Sequence, residues 1–197
     1  MSPISGKLRD ELVRAYTAPD RHYHNLAHIE AMLGLMRAHE AALSDPASIE
    51  AAIWFHDAVY DTRCHDNEEK SAALAAERLA GVLGPDRIDR IIRMIRATAG
   101  HRVPESLDDD AKRDCALFLD MDLAILGSTP DAFAAYEAAV RREYSWMPET
   151  RWIEGRRKVL QAFLARPAIY ASPPFRASHE VAARKNLMRS LERLVLP

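Results

Sequence analysis

Residues 45–60 read Asp-Pro-Ala-Ser-Ile-Glu-Ala-Ala-Ile-Trp-Phe-His-Asp-Ala-Val-Tyr. Asp45 supplies a capping side chain, and Pro46 stands at the first helical position, where its missing N–H leaves no bond unmade. Ile49, Ala52, Ile53 and His56 then recur as i, i+3, i+4 and i+7, one face of an α-helix that carries a histidine inward with the apolar residues. The stretch is therefore helical, and similar punctuation is found on either side of it.

Upstream, Leu26, Ile29, Leu33 and Met36 mark a buried stripe on a helix expected from near His24 or Asn25 to about Leu43, with His28 beside the stripe. Downstream, a polar break at 61–67 precedes Asp66, which is expected to cap a helix with Glu69 three residues on. That helix carries Ala72, Leu74, Ala75 and Leu79 and stops around Gly81 or Gly84. Pro85 opens another, with Ile88, Ile91, Ile92 and Ile95 on one face and Gly100 closing it before His101. Residues 103–110 read as a loop and 111–126 as a helix ending at Gly127. Thr129-Pro130 then starts a helix with Phe133, Tyr136 and Val140.

The final helices are expected at 150–165, stopped by Pro167, and at 178–196, with Leu187, Leu191 and Leu194 facing inward and Pro173-Pro174 separating the two. No stretch alternates with the period of a strand. The expected fold is all-α: one domain over residues 1–197, a bundle of about eight or nine helices.

Composition narrows the classes. Apolar residues make up 48% and charged residues 28% of 197, the profile of a globular, helix-rich chain. A net charge of −2, from 27 basic and 29 acidic residues, supplies no positive field for a nucleic-acid polymer. Cys64 and Cys115 are far apart and form no Cys-x-x-Cys pair, which disfavours both a thiolate zinc site and a disulfide framework. The first ten residues lack an apolar run, and no eighteen consecutive residues are apolar. The expectation is a cytoplasmic protein without signal peptide or membrane span.

Three apolar segments contain ionisable groups, which are costly to bury without partners. His56-Asp57 interrupts residues 53–60, Asp120 and Asp122 interrupt residues 115–126, and His24 and His28 stand four apart, sharing a face if the helix includes His24. Each alone has a bland explanation: a hydrogen-bonded core histidine, an arginine-paired aspartate, a helix-start histidine. Together, imidazoles and carboxylates suit a divalent metal.

In order and type, His28, His56-Asp57 and Asp122 resemble the H…HD…D signature of the HD superfamily of metal-dependent phosphohydrolases. Tyr23-His24-Asn25-x-x-His28 also looks like a segment of cyclic-nucleotide phosphodiesterases. Trp54 to Tyr60, Asp66-Asn67-Glu68 with Ser71, Asp120 to Gly127, and Glu180 with Arg184 and Asn186-Leu187 are similar to a bacterial group of predicted HD phosphohydrolases. Asp57 is followed by Ala58-Val59-Tyr60, a departure from the HD-x-x-K-I-G motif that argues against cyclic di-nucleotides.

The resemblance implies an HD-type helical fold with His28, His56, Asp57 and Asp122 as metal ligands and His24 as proton donor. Asp120 competes with Asp122 for the last place, and the Asp-Leu step, like that of the phosphodiesterases, favours Asp122. One or two ions of manganese, iron, cobalt, nickel, zinc or magnesium would activate water against a phosphomonoester or phosphodiester of a small molecule, a nucleotide above all. By the same analogy Asp57 would bridge a second metal; Asp61, read as one helical turn on, would orient the water or coordinate a metal through water, or else be a solvated loop aspartate.

Glu68 and His101 are weaker candidates, since helix-terminal charge explains both. Arg21, Arg184 and Lys185 are candidate phosphate contacts. Trp54, Phe55 and Tyr60 could form a base-stacking wall, although core packing is the expected role. His22, His39, His65 and His179 read as surface residues. The alternatives are a non-catalytic metal- or nucleotide-binding regulatory module and a di-iron oxygenase, the latter needing an extra ligand such as His101. Apolar helix faces would also permit a homodimer.

Overall fold

Helix α3, Pro46–Phe55, buries Ser48, Ile49, Ala51, Ala52, Ile53, Trp54 and Phe55, so it is enclosed on every side, as a helix apolar all round must be. The computed structural model describes residues 2–4 and 6–194, and among these the protein is all-α, with nine α-helices and two short 3-10 stretches. No helix among the described residues is long and apolar enough to cross a membrane. The chain divides into two compact units, Met1–Met121 and Asp122–Pro197.

In the first unit α3 packs against α2 (Leu26–Ala38), α4 (Asn67–Leu79) and α5 (Pro85–Ala97), and α4 packs on α5. Helix α1 (Gly6–Tyr16) is tied to α3 by the Tyr16 hydroxyl, which donates to the Trp54 carbonyl at 3.0 Å. The start of α3 is held twice. Asp45 accepts from the Ser48 N–H at 3.2 Å and from Arg87 Nε at 2.9 Å. Asp114, fully buried on α6 (Asp109–Asp122), accepts from the backbone N–H groups of Ser44 and Asp45, both at 2.8 Å.

The second unit contains the 3-10 stretch Leu123–Gly127, α7 (Pro130–Glu143), α8 (Glu149–Leu164) and α9 (Pro173–Arg193). The 3-10 stretch lies on α7 and α9, and α8 packs on α9. A Cβ on Gly127 would stand 2.6 Å from the His179 Cβ and 2.8 Å from its carbonyl oxygen, so only glycine permits this approach. Asn186 donates to the carbonyls of Leu126 at 2.9 Å and Ser128 at 3.0 Å.

Several expected boundaries move. Helix α2 ends at Ala38, and residues 40–42 form a separate 3-10 turn, where one helix to about Leu43 was expected. Asp66 stands at the N-cap of α4 without capping it, and instead pairs with Lys70 at 2.8 Å. Helix α5 stops at Ala97, ahead of Gly100. Pro173-Pro174 opens α9 where it was expected to separate two helices, because proline's fixed φ suits a first helical turn. The last residues of the helix expected at 178–196 lie outside the described residues.

Candidate metal centre

Two local devices place the histidines. Asn25 caps α2, its side-chain oxygen accepting from the N–H groups of Ala27 at 3.0 Å and His28 at 3.4 Å while its amide donates to the His22 carbonyl at 3.0 Å. His28 follows in the first turn, 7% exposed. His56 is the first residue beyond α3, its N–H still bonded to the Ala52 carbonyl at 2.9 Å, and is 1% exposed.

The ring of His56 is oriented by its backbone. Nδ1 lies 2.9 Å from the Ile53 carbonyl, which can only accept, so Nδ1 carries a proton and Nε2 is the nitrogen left to offer a lone pair. That Nε2 lies 3.3 Å from His28 Nε2 and 3.1 Å from Asp57 Oδ2. Asp122, the last residue of α6, completes a group in which one ligand atom each from His28, His56 and Asp122 lie within 4.8 Å of one another. The other residues of α6 belong to the first unit, as do both histidines.

A lone pair facing a carboxylate oxygen at hydrogen-bond distance needs a positive charge between them, a proton or a cation. Two imidazole nitrogens and carboxylate oxygens form a donor set suited to a first-row divalent ion, and a ring whose other nitrogen donates to a carbonyl is the usual orienting contact of a ligating histidine. The residues thus fit a metal.

Asp57, 16% exposed at its side chain, touches His56 and stands beside this group, not within it. Asp122, not Asp120, joins the histidines. Asp120 is 1% exposed, and burial, followed by the charges of Asp120 and Asp114, pushes the Cys115 thiol up to about 12.

His24 precedes α2, so it does not share a helix face with His28, as the spacing of four suggested. Its ring lies tilted against Tyr60, with centroids 4.4 Å apart and 32° between the planes, and 6.2 Å from the ring of His28. Tyr60 is half-buried against His24, while Trp54 and Phe55 are core.

Asp61 is exposed and bound within its own turn, accepting from the Arg63 N–H at 2.9 Å and from the Cys64 thiol at 3.4 Å. These contacts, the Arg63 N–H foremost, hold its carboxyl below the usual value. Because α3 ends at Phe55, Asp61 is not one helical turn beyond Asp57. Glu68 stays in the first turn of α4, outside the converging group. His101 is also outside it and adopts a left-handed backbone with φ of 45°.

The arginines expected at phosphate are engaged elsewhere. Arg184 donates to the carbonyls of Leu164 at 3.1 Å and Arg166 at 2.8 Å and pairs with Glu180 at 2.8 Å, closing the end of α8. Lys185 is exposed. Arg21 donates to three carbonyls: Nη1 to His24 at 3.0 Å and Asp57 at 2.7 Å, and Nη2 to Ala58 at 3.0 Å. Of the histidines expected at the surface, His65 is exposed, whereas His22, His39 and His179 are half-buried.

Sequence reasoning did not assign roles to Asp114, Ser71 or Asn25. Ser71 is fully buried, and its hydroxyl accepts from the Val59 N–H at 3.0 Å and donates to the Val59 carbonyl at 3.2 Å, pinning the segment after Asp57 to α4. A buried serine in an alanine-rich helix face was the available signal. No protein-family model matches the chain, and neither a curated protein nor a solved structure shows significant similarity to it.

Proposed function

We propose that the protein is a metal-dependent phosphohydrolase cleaving a phosphomonoester or phosphodiester of a small molecule, a nucleotide above all. The observation that carries this reading is the convergence of His28 Nε2 and His56 Nε2, 3.3 Å apart, with Asp122. The order of these residues in the chain and their resemblance to the HD superfamily add the reaction class.

His28, His56 and Asp122 would hold the ion, with Asp57 beside His56 as a further oxygen ligand or a bridge to a second ion. A divalent ion there supplies a water of lowered pKa and neutralises charge on a phosphoryl oxygen. His24, held against Tyr60, donates a proton to the departing oxygen, a task suited to imidazole near neutral pH.

The test is elemental analysis of protein purified without chelator, followed by phosphate release from mono- and diesters with manganese, cobalt, nickel, magnesium and zinc. Wild type should hold metal and release phosphate, and His56→Ala and Asp122→Ala should do neither. Metal-free wild type would overturn the site. One observation favours a second reading, a metal- or nucleotide-binding regulatory module: both carboxylate oxygens of Asp61 are engaged in its own turn, the contacts of a structural loop aspartate. Bound metal without turnover on any ester would select that reading.

A further inference from the structure

We propose that Arg21 is the positioning residue of the site, a clamp that fixes the His24 loop against the segment carrying His56 and Asp57; the catalytic consequence rests on the hydrolase reading above. Beyond Phe55 the chain leaves the helix, and carbonyls there need new donors. Arg21 supplies them to Asp57 and Ala58 while the same guanidinium holds the His24 carbonyl. Nη1 is shared between His24 and Asp57, so one nitrogen ties the proposed proton donor's backbone to that of a proposed ligand's neighbour.

Aromatic rings fix the clamp itself. The guanidinium carbon lies 4.9 Å from the Tyr16 ring centroid and 5.4 Å from that of Tyr60, the ring that His24 lies against. A planar fork can reach three carbonyls while presenting its faces to rings, whereas a lysine ammonium is a single point with no plane. Residues 22–25 form bends outside regular secondary structure, so their placement depends on such ties. Small displacement of a proton donor costs turnover without costing substrate or metal binding.

The experiment compares wild type with Arg21→Lys. In the metal-free protein, the NMR resonances of the His24 ring should lose the ring-current shift that the nearby Tyr60 ring confers. Manganese affinity by calorimetry and KM should stay within about threefold while kcat falls about 10- to 100-fold. An unmoved His24 resonance in folded Arg21→Lys overturns the clamp. So does a rise in KM alone, which would make Arg21 a substrate contact, or a loss of manganese affinity matching the loss of kcat.

If wild type proves to have no turnover, the hydrolase reading fails separately, and the His24 resonance still decides the clamp. Should Arg21→Lys not fold, Tyr60→Leu removes the ring that His24 lies against, while Arg21 keeps its three carbonyls and the Tyr16 ring. Amide exchange of residues 22–25 should then stay within about threefold of wild type, the change expected when the principal tie is kept. Exchange at unrestrained rates would show that the Tyr60 ring, not Arg21, holds the loop.

Discussion

At the scale of the residue, the division between holding a metal and moving a proton falls between neighbours in the chain. His28 is buried, with Nε2 3.3 Å from His56 Nε2, whereas His24 lies before the helix with its ring against Tyr60. His24→Asn should therefore retain metal by elemental analysis while kcat falls about 10²- to 10⁴-fold, the range for losing a general acid. Loss of metal in that variant would show that His24 is a ligand and that the roles proposed here are wrong. The converging group of His28, His56 and Asp122 was legible in the sequence because a histidine or aspartate inside an apolar run must find a partner. Asp61 and Arg21 were less so, since a carboxylate closing its own turn or a guanidinium bound to carbonyls looks in sequence like any other charged loop residue.

Among the elements, the starts of α3 and α7 were legible because a capping side chain followed by proline acts through local geometry. In α7 the Thr129 hydroxyl accepts from the Ala132 N–H at 3.4 Å, with Pro130 following. The carboxylate of Asp114 was not, since it acts on Ser44 and Asp45, some seventy residues earlier. Asp45 carries a pH dependence. Burial raises its pKa, but hydrogen bonds from Arg87 and Ser48 outweigh that and hold it below the usual value. A depressed carboxyl stabilises the fold above its unfolded pKa of about 3.9 and loses that contribution as pH falls through its folded value. Asp45→Ala should cost about 1–2 kcal/mol at pH 7 through the lost cap, with the gap to wild type narrowing below about pH 4 in urea unfolding. In the second unit, Gly127→Ala must displace the backbone of α9 at His179 and should cost about 1–3 kcal/mol, read as a lowered denaturation midpoint. Equal stability of that variant would mean the close approach relaxes freely.

For the whole molecule, helix count and class were legible from periodicity, while the division into units at residues 121 and 122 was not. It falls at the end of α6, inside an apolar run with no proline or glycine to mark it. The same run carries Asp122, so the element that brings a carboxylate to the two histidines is also the one whose boundary the sequence conceals. A metal bound there acts on the stability of the fold, because a ligand that binds only the native state stabilises it by mass action. At a free concentration of one hundred times Kd the gain is about 2.7 kcal/mol, which for a chain of this size raises Tm by roughly 5–10 °C. Thermal unfolding of wild type should therefore rise by that amount on adding manganese or cobalt and return with chelator, while His56→Ala should show no rise. An equal rise in His56→Ala would place the ion elsewhere on the protein and remove the observation on which the hydrolase reading stands.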